Sequence, residues 1–130
     1  MKNIPNISKS EWLIMKIIWA KRTATTNEVV EALGDSTSWK PKTIMTMLKR
    51  LTEKGALGYE KNGRIFQYYA LVKEDDCINA ESESFLERVY GGSFKPMLVN
   101  FVDHAQLSTE EIKELKQILD AKLKAKKDDS

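Results

Sequence analysis

Residues 39 to 55 read Trp39-Lys40-Pro41-Lys42-Thr43-Ile44-Met45-Thr46-Met47-Leu48-Lys49-Arg50-Leu51-Thr52-Glu53-Lys54-Gly55. A short helix with one apolar and one cationic face fits them. Pro41 falls in the first turn, where its missing backbone N–H costs nothing. Ile44, Met47, Leu48 and Leu51 recur at i, i+3, i+4 and i+7, and Gly55 supplies the stop. On a helical wheel Lys42, Thr46 and Lys49 project away from Ile44 and Leu51, with Thr43 and Arg50 at the edge. Taken alone, such a helix reads as a solvated face carrying Lys and Arg for solubility. Its neighbours change that reading.

Two helices are expected before it. Ser8 with Glu11 has capping-box spacing and opens a helix over Lys9 to Lys21, which is apolar nearly all round and so belongs at the centre of a core. Thr25 with Glu28 repeats the spacing and opens a shorter helix through Val29, Val30 and Leu33, ended by Gly34. After Gly55 come two strand-like runs, Leu57 to Lys61 and Arg64 to Leu71, joined by Asn62-Gly63, a strong two-residue hairpin signal. That turn sets Leu57 opposite Tyr68 and Tyr59 opposite Phe66, on a face that packs against the helices.

Three short helices followed by a hairpin hold the third helix outward as a recognition helix, the outline of a winged helix-turn-helix. A helix of this size fits the major groove of DNA, where Thr meets a thymine methyl or a base edge and Lys or Arg meets guanine or phosphate. The helix start also offers backbone donors to a phosphate, less the one that Pro41 withholds. Trp39 either touches the DNA backbone or packs into the core. Lys61 and Arg64 flank the turn and are placed to grip phosphates, with Arg64 the better placed.

The charge distribution agrees. Residues 1–72 carry 12 Lys/Arg against 6 Asp/Glu, net +6, whereas 73–130 carry 9 against 13, net −4. A basic half suited to a polyanion precedes an acidic half with another task. The expected organisation is a winged-helix DNA-binding domain over 1–72 and a helical dimerisation domain over 73–130, mainly α with a small β-hairpin.

In the second half, Ile78, Phe85, Leu86 and Val89 form one stripe, ended by Gly91-Gly92. Phe94, Met97, Leu98, Phe101 and Val102 form a second, with Pro96 in its first turn. Ser108 with Glu111 opens a last helix bearing Ile112, Leu115, Leu119 and Leu123, and Lys122 to Ser130 reads as a frayed, solvated tail. Three apolar faces on fewer than 60 residues either fold back on the first domain or pair with a second copy. Pairing into a homodimer is the economical solution, with Phe85, Leu98, Phe101, Ile112, Leu115 and Leu119 as its residues.

Several classes are disfavoured. There is no Gly-rich phosphate loop, no H-E-x-x-H and no nucleophile motif, and His104 is the sole histidine, so an enzyme has little to stand on. Glu74-Asp75-Asp76 reads as a solvated helix start. Cys77, the one cysteine, permits no intramolecular disulfide and has no ligand spacing to His104, so neither metal nor cofactor is expected. The longest apolar block, Trp12 to Trp19, is interrupted by Lys16 and far shorter than a membrane span. A soluble, cytoplasmic protein without membrane insertion is expected. A winged helix that binds protein instead of DNA is the remaining alternative, against which the basic first half argues.

The chain also resembles the BlaI/MecI family of bacterial repressors of β-lactamase and penicillin-resistance genes. The matching residues are Glu11-Trp12, Met15, Ile17-Ile18-Trp19, Asn27-Glu28-Val29, the run Trp39-Lys40-Pro41-Lys42-Thr43-Ile44, Leu51, Lys54-Gly55 and Phe66-Gln67-Tyr68-Tyr69. In the second half they are Phe85, Tyr90-Gly91-Gly92, Leu98-Val99-Asn100-Phe101-Val102, Leu107-Ser108, Glu111 and Leu115. The resemblance implies a homodimer joined by its C-terminal helices that binds double-stranded operator DNA with TACA and TGTA inverted repeats. It matches Lys42, Thr43 and Thr46 to the recognition helix and Arg50 and Arg64 to backbone contacts. Met45 departs from an Arg common at that place, which leaves the base preference there open.

The resemblance further implies inactivation by proteolysis, set off directly or indirectly by a membrane-bound β-lactam sensor metalloprotease; the matching bond is Asn100-Phe101. A copper-responsive branch, similar in its first half, carries a C-terminal cysteine cluster that this chain lacks, so the β-lactam branch is favoured.

Overall fold

The computed structural model describes residues 4–129. Two compact units divide at Ser82 and Glu83. The first contains α1 (Lys9–Lys21), β1 (Thr23–Thr25), α2 (Thr26–Leu33), α3 (Pro41–Glu53), β2 (Leu57–Asn62) and β3 (Ile65–Ala70). α4 (Glu74–Tyr90) runs across the boundary, and the second unit adds α5 (Phe94–His104) and α6 (Thr109–Asp128).

All three capping boxes form. Ser8, Thr25 and Ser108 each accept from the backbone N–H three residues on, and Glu11, Glu28 and Glu111 each accept from the cap residue's N–H. α1 buries Ile14, Met15 and Ile18 completely, but Leu13 on its other side is 45% exposed, so the helix is not enclosed all round. Val29 and Leu33 of α2, with Ile44, Leu48 and Leu51 of α3, complete one core with Ala56, Leu57 and Tyr68. α3 begins at Pro41 and ends in a Schellman motif: Gly55, at φ 84°, donates its N–H to Thr52 O (3.1 Å), and Ala56 donates to Leu51 O (2.9 Å). Gly34 also follows its helix but stays right-handed at φ −58°, so α2 ends without the left-handed turn.

The sheet departs from expectation in two ways. It has three strands in the order β1-β3-β2, because Thr23 to Thr25 pair antiparallel with Gln67 to Tyr69. Three residues are too few to show a period, and Arg22, at φ 71° and ψ −47°, turns the chain sharply from α1 into that strand. The hairpin register is also shifted by two residues. Leu57 faces Ala70, Tyr59 faces Tyr68, Lys61 faces Phe66 and Asn62 faces Ile65. The turn is therefore Gly63-Arg64, and only Gly63 has positive φ (64°). Such a turn needs one glycine, at its first central position; Asn62 then stays in the strand and adds a rung. A shift of two keeps every side chain on its face, so Tyr59, Phe66 and Tyr68 still share one side, with ring centroids 5.1 to 6.3 Å apart.

α4 starts with Glu74, Asp75 and Asp76 in its first turn, where carboxylates complement the helix dipole. Its Cys77 is buried in the first unit's core. Trp19 Nε1 donates to Val72 O at 3.0 Å, tying the approach to α4 to the end of α1.

The second unit has no buried residue in α5 or α6. Phe85 lies 5.9 Å from Tyr90 and 6.3 Å from Phe101, ring centre to ring centre, and Asn100 Nδ2 donates to the Tyr90 hydroxyl at 3.0 Å. α6 runs on through Lys122 to Asp128 instead of fraying at Lys122, its last turn helped by Lys126 and Lys127 near the negative end of the dipole; Ser130 lies outside the described residues.

Candidate nucleic-acid interface

Because Ile44, Met47, Leu48 and Leu51 are taken up by the core, the rest of α3 is turned outward. Lys42, Thr43, Met45, Thr46, Lys49 and Arg50 are all exposed. The Thr46 hydroxyl donates to Lys42 O at 3.0 Å, one turn back. Its proton is thus occupied, and Thr46 presents a methyl group and an oxygen acceptor outward. The helix start is a weaker anion site than its position suggests. Pro41 has no N–H, and the N–H groups of Thr43 and Ile44 both donate to Lys40 O, at 2.9 and 3.2 Å. Of the first four residues, Lys42 alone is left with a donor to offer.

Trp39 is partly buried and packs against the core. It also lines a hollow of about 310 Å³ with Ser8, Ser10, Thr43 and Arg50, so its ring forms a wall beside the cationic face. Arg64 is exposed, but as the second residue of the turn, not as a strand residue. Lys61 is on the strand, its Nζ 5.5 Å from the centre of the Phe66 ring, a cation–π contact that steadies the cation. A second hollow of about 530 Å³ opens between α3 and the wing, lined by Met45, Lys49, Glu53, Tyr59 and Phe66 among others.

One ion pair supports the face from behind. Glu11, 2% exposed, receives Lys54 Nζ at 2.5 Å and the Ser8 N–H at 2.8 Å, and Lys54 donates also to Asn6 O at 2.8 Å. Burial would raise the Glu11 carboxyl, but the Lys54 and Ser8 hydrogen bonds, with the charge of Lys54, outweigh it and hold it below the ordinary glutamate value. The pair joins the start of α1 to the C-cap of α3. No local sequence signal reveals it, since 43 residues separate the partners.

Burial pushes the Cys77 thiol up, and Asp76 and Glu74 add to the effect, the opposite of an activated nucleophile. Among the described residues no group of three or more His, Cys, Asp or Glu is placed to hold a metal ion, and no helix is long and apolar enough to cross a membrane.

The apolar residues of the second unit are open to solvent. Phe85 and Leu98 are partly buried, while Phe101 is 48% and Leu119 55% exposed, and Ile112 and Leu115 are also exposed. Ile118, which the stripe reading omits, is the most exposed at 65%. His104 ends α5 at the surface, its Nδ1 2.8 Å from Asn100 O.

Comparison with known proteins agrees with this arrangement. The penicillinase repressor family matches residues 7–121. The penicillinase repressor of Bacillus licheniformis is 48% identical over 128 residues, 98% of this chain and 100% of that protein. The methicillin resistance regulatory protein MecI of Mammaliicoccus sciuri is 43% identical over 116 residues, 89% of this chain and 94% of that protein. The solution structure of the B. licheniformis BlaI monomeric form in complex with the blaP half-operator superposes with a TM-score of 0.52 at 49% identity, covering 58% of this chain and 93% of that one. With a winged-helix unit built as described, this chain belongs to the penicillinase repressor family.

Proposed function

We propose that this chain is a homodimeric transcriptional repressor, not an enzyme, that binds an inverted-repeat operator of the TACA/TGTA type before β-lactamase or related resistance genes in the cytoplasm. The observation that carries this reading is the outward cationic face of α3 beside an exposed wing arginine. Residues 1–72 supply the reading head: Lys42, Thr43 and Thr46 meet base edges, Arg50 and Arg64 meet phosphates, and Trp39 walls the backbone path. Residues 73–130 supply the pairing, through Phe85, Leu98, Phe101, Ile112, Leu115 and Leu119. An apolar surface this extensive on so small a unit calls for a partner, and a second copy satisfies it with two-fold symmetry matching an inverted repeat.

Release follows from cutting Asn100-Phe101 after a membrane-bound β-lactam sensor metalloprotease acts, directly or through another component. Both residues lie within α5, so the helix must open locally before a protease can take the bond in extended form, and the cut then separates α6 from α4. If Phe101→Ala leaves dimer affinity and cleavage rate both unchanged, this release step is wrong.

The DNA reading is tested by fluorescence anisotropy with an inverted-repeat duplex and a scrambled one. Specific binding that weakens by roughly 10³-fold or more between about 50 and 200 mM salt is expected of many phosphate contacts. Equal affinity for both duplexes without a salt slope would sink it and favour a protein partner.

A further inference from the structure

The hollow between α3 and the wing contains more apolar surface than contact with a polyanion explains. Its volume of about 530 Å³ falls in the range of small-molecule sites. Tyr59 and Phe66 form one wall, edge to face with centroids 5.1 Å apart. Met45, 56% exposed, lies on the opposite wall, and its unbranched thioether adapts readily to a flat ligand. Lys42 and Lys49, two helical turns apart on α3, line the same hollow against one acid, Glu53. An aromatic wall beside a net cationic lining matches a planar ring bearing one carboxylate. The ring would stack or pack edgewise on Tyr59 and Phe66 at the 4.5–7 Å spacing aromatic pairs adopt, leaving the carboxylate to a lysine. A neutral aromatic forgoes the ion pair, and an inorganic anion forgoes the ring contact.

We infer that the cleft between α3 and the wing is a binding site for an aromatic carboxylate, and that its occupant excludes DNA. The second clause rests on the proposed operator binding: the ligand stands between the two elements that grip the duplex, and its carboxylate occupies a lysine of the α3 face.

The test titrates 2-naphthoate, at fixed ionic strength, into full-length protein carrying ¹³C-methyl methionine, with 2-naphthylmethanol and sulfate as comparison ligands. A saturable shift of the Met45 methyl, assigned through Met45→Leu, with Met15 and Met97 unmoved is expected. Tyr59→Ala abolishes it, and Lys49→Gln, at an exposed position, weakens it about three- to five-fold, the size of one exposed charge pair. No saturable shift, equal binding of 2-naphthylmethanol, or the same shift with sulfate overturns the site. Anisotropy with the operator duplex then separates the clauses. Competitive displacement by naphthoate supports exclusion, and naphthoate saturating Met45 while the duplex stays bound overturns it. Saturation in a protein that binds no duplex upholds the site and removes the DNA reading instead.

Discussion

Glu11 and Lys54 meet at 2.5 Å with the carboxylate almost wholly buried and the lysine side chain 33% exposed, so a charge at the first turn of α1 holds the C-cap of the recognition helix. A buried carboxylate persists only where hydrogen bonds replace its water, and here Lys54 Nζ and the Ser8 N–H supply them.

Glu11→Gln is expected to cost about 2 kcal/mol, below the loss for fully buried pairs because Lys54 is partly solvated and keeps Asn6 O. The lowered carboxyl sets the pH dependence. Its contribution is complete above the ordinary value of 4.5 and falls away as the pH drops from there through the lower folded value. Urea unfolding followed by tryptophan fluorescence reports this directly, since Trp12, Trp19 and Trp39 all belong to the first unit. The wild type should lose stability below pH 4.5 more steeply than Glu11→Gln; parallel profiles would contradict this account.

Gly55→Ala tests the end of α3. Nothing lies within 4 Å of an added Cβ, so the cost is conformational, set by φ 84°. About 1 kcal/mol is expected after the gain from a less flexible unfolded chain. The denaturation midpoint should fall with an unchanged slope, and an unchanged midpoint would show that the helix can end without a left-handed residue.

Arg64→Ala and Lys42→Ala should differ in kind. Removing a phosphate contact at the turn weakens all duplexes similarly and lowers the magnitude of the salt slope by about 1. Losing Lys42 should cost about 1–3 kcal/mol on the operator while relaxing discrimination against a scrambled duplex. Anisotropy titrations at several salt concentrations distinguish the two, and identical effects would mean that Lys42 too meets only backbone.

Leu115→Asp places a charge in the apolar stripe of α6. Sedimentation should give a monomer, and full-operator affinity should fall by orders of magnitude because one reading head makes too few contacts. The first unit should keep its tryptophan spectrum. Tight operator binding by a demonstrated monomer would contradict the role given to pairing.

The winged helix and its outward face were largely legible. The capping pairs at Ser8, Thr25 and Ser108, Pro41 at a helix start and the spacing of Ile44, Met47, Leu48 and Leu51 are local signals, and each holds in the structure. The hairpin was legible in kind but not in register, because Asn62-Gly63 and Gly63-Arg64 are both acceptable turns. Pairing across the whole hairpin, including the extra rung at Asn62 and Ile65, selects between them. β1 was not legible at all: Ala24 is strand only because Tyr68 lies beside it.

By itself, then, the sequence determined where helices start and stop, which stripes are apolar, that cations collect in the first half, and the kinship with a repressor family. These depend on residues within one or two turns of each other or on composition. Tertiary structure alone decided that Glu11 is buried against Lys54, that Trp19 holds Val72, that β1 joins the sheet, and that Tyr59 and Phe66 stand across a hollow from Met45. Such contacts join residues far apart in the chain, and their energies exist only once the fold has brought the partners together.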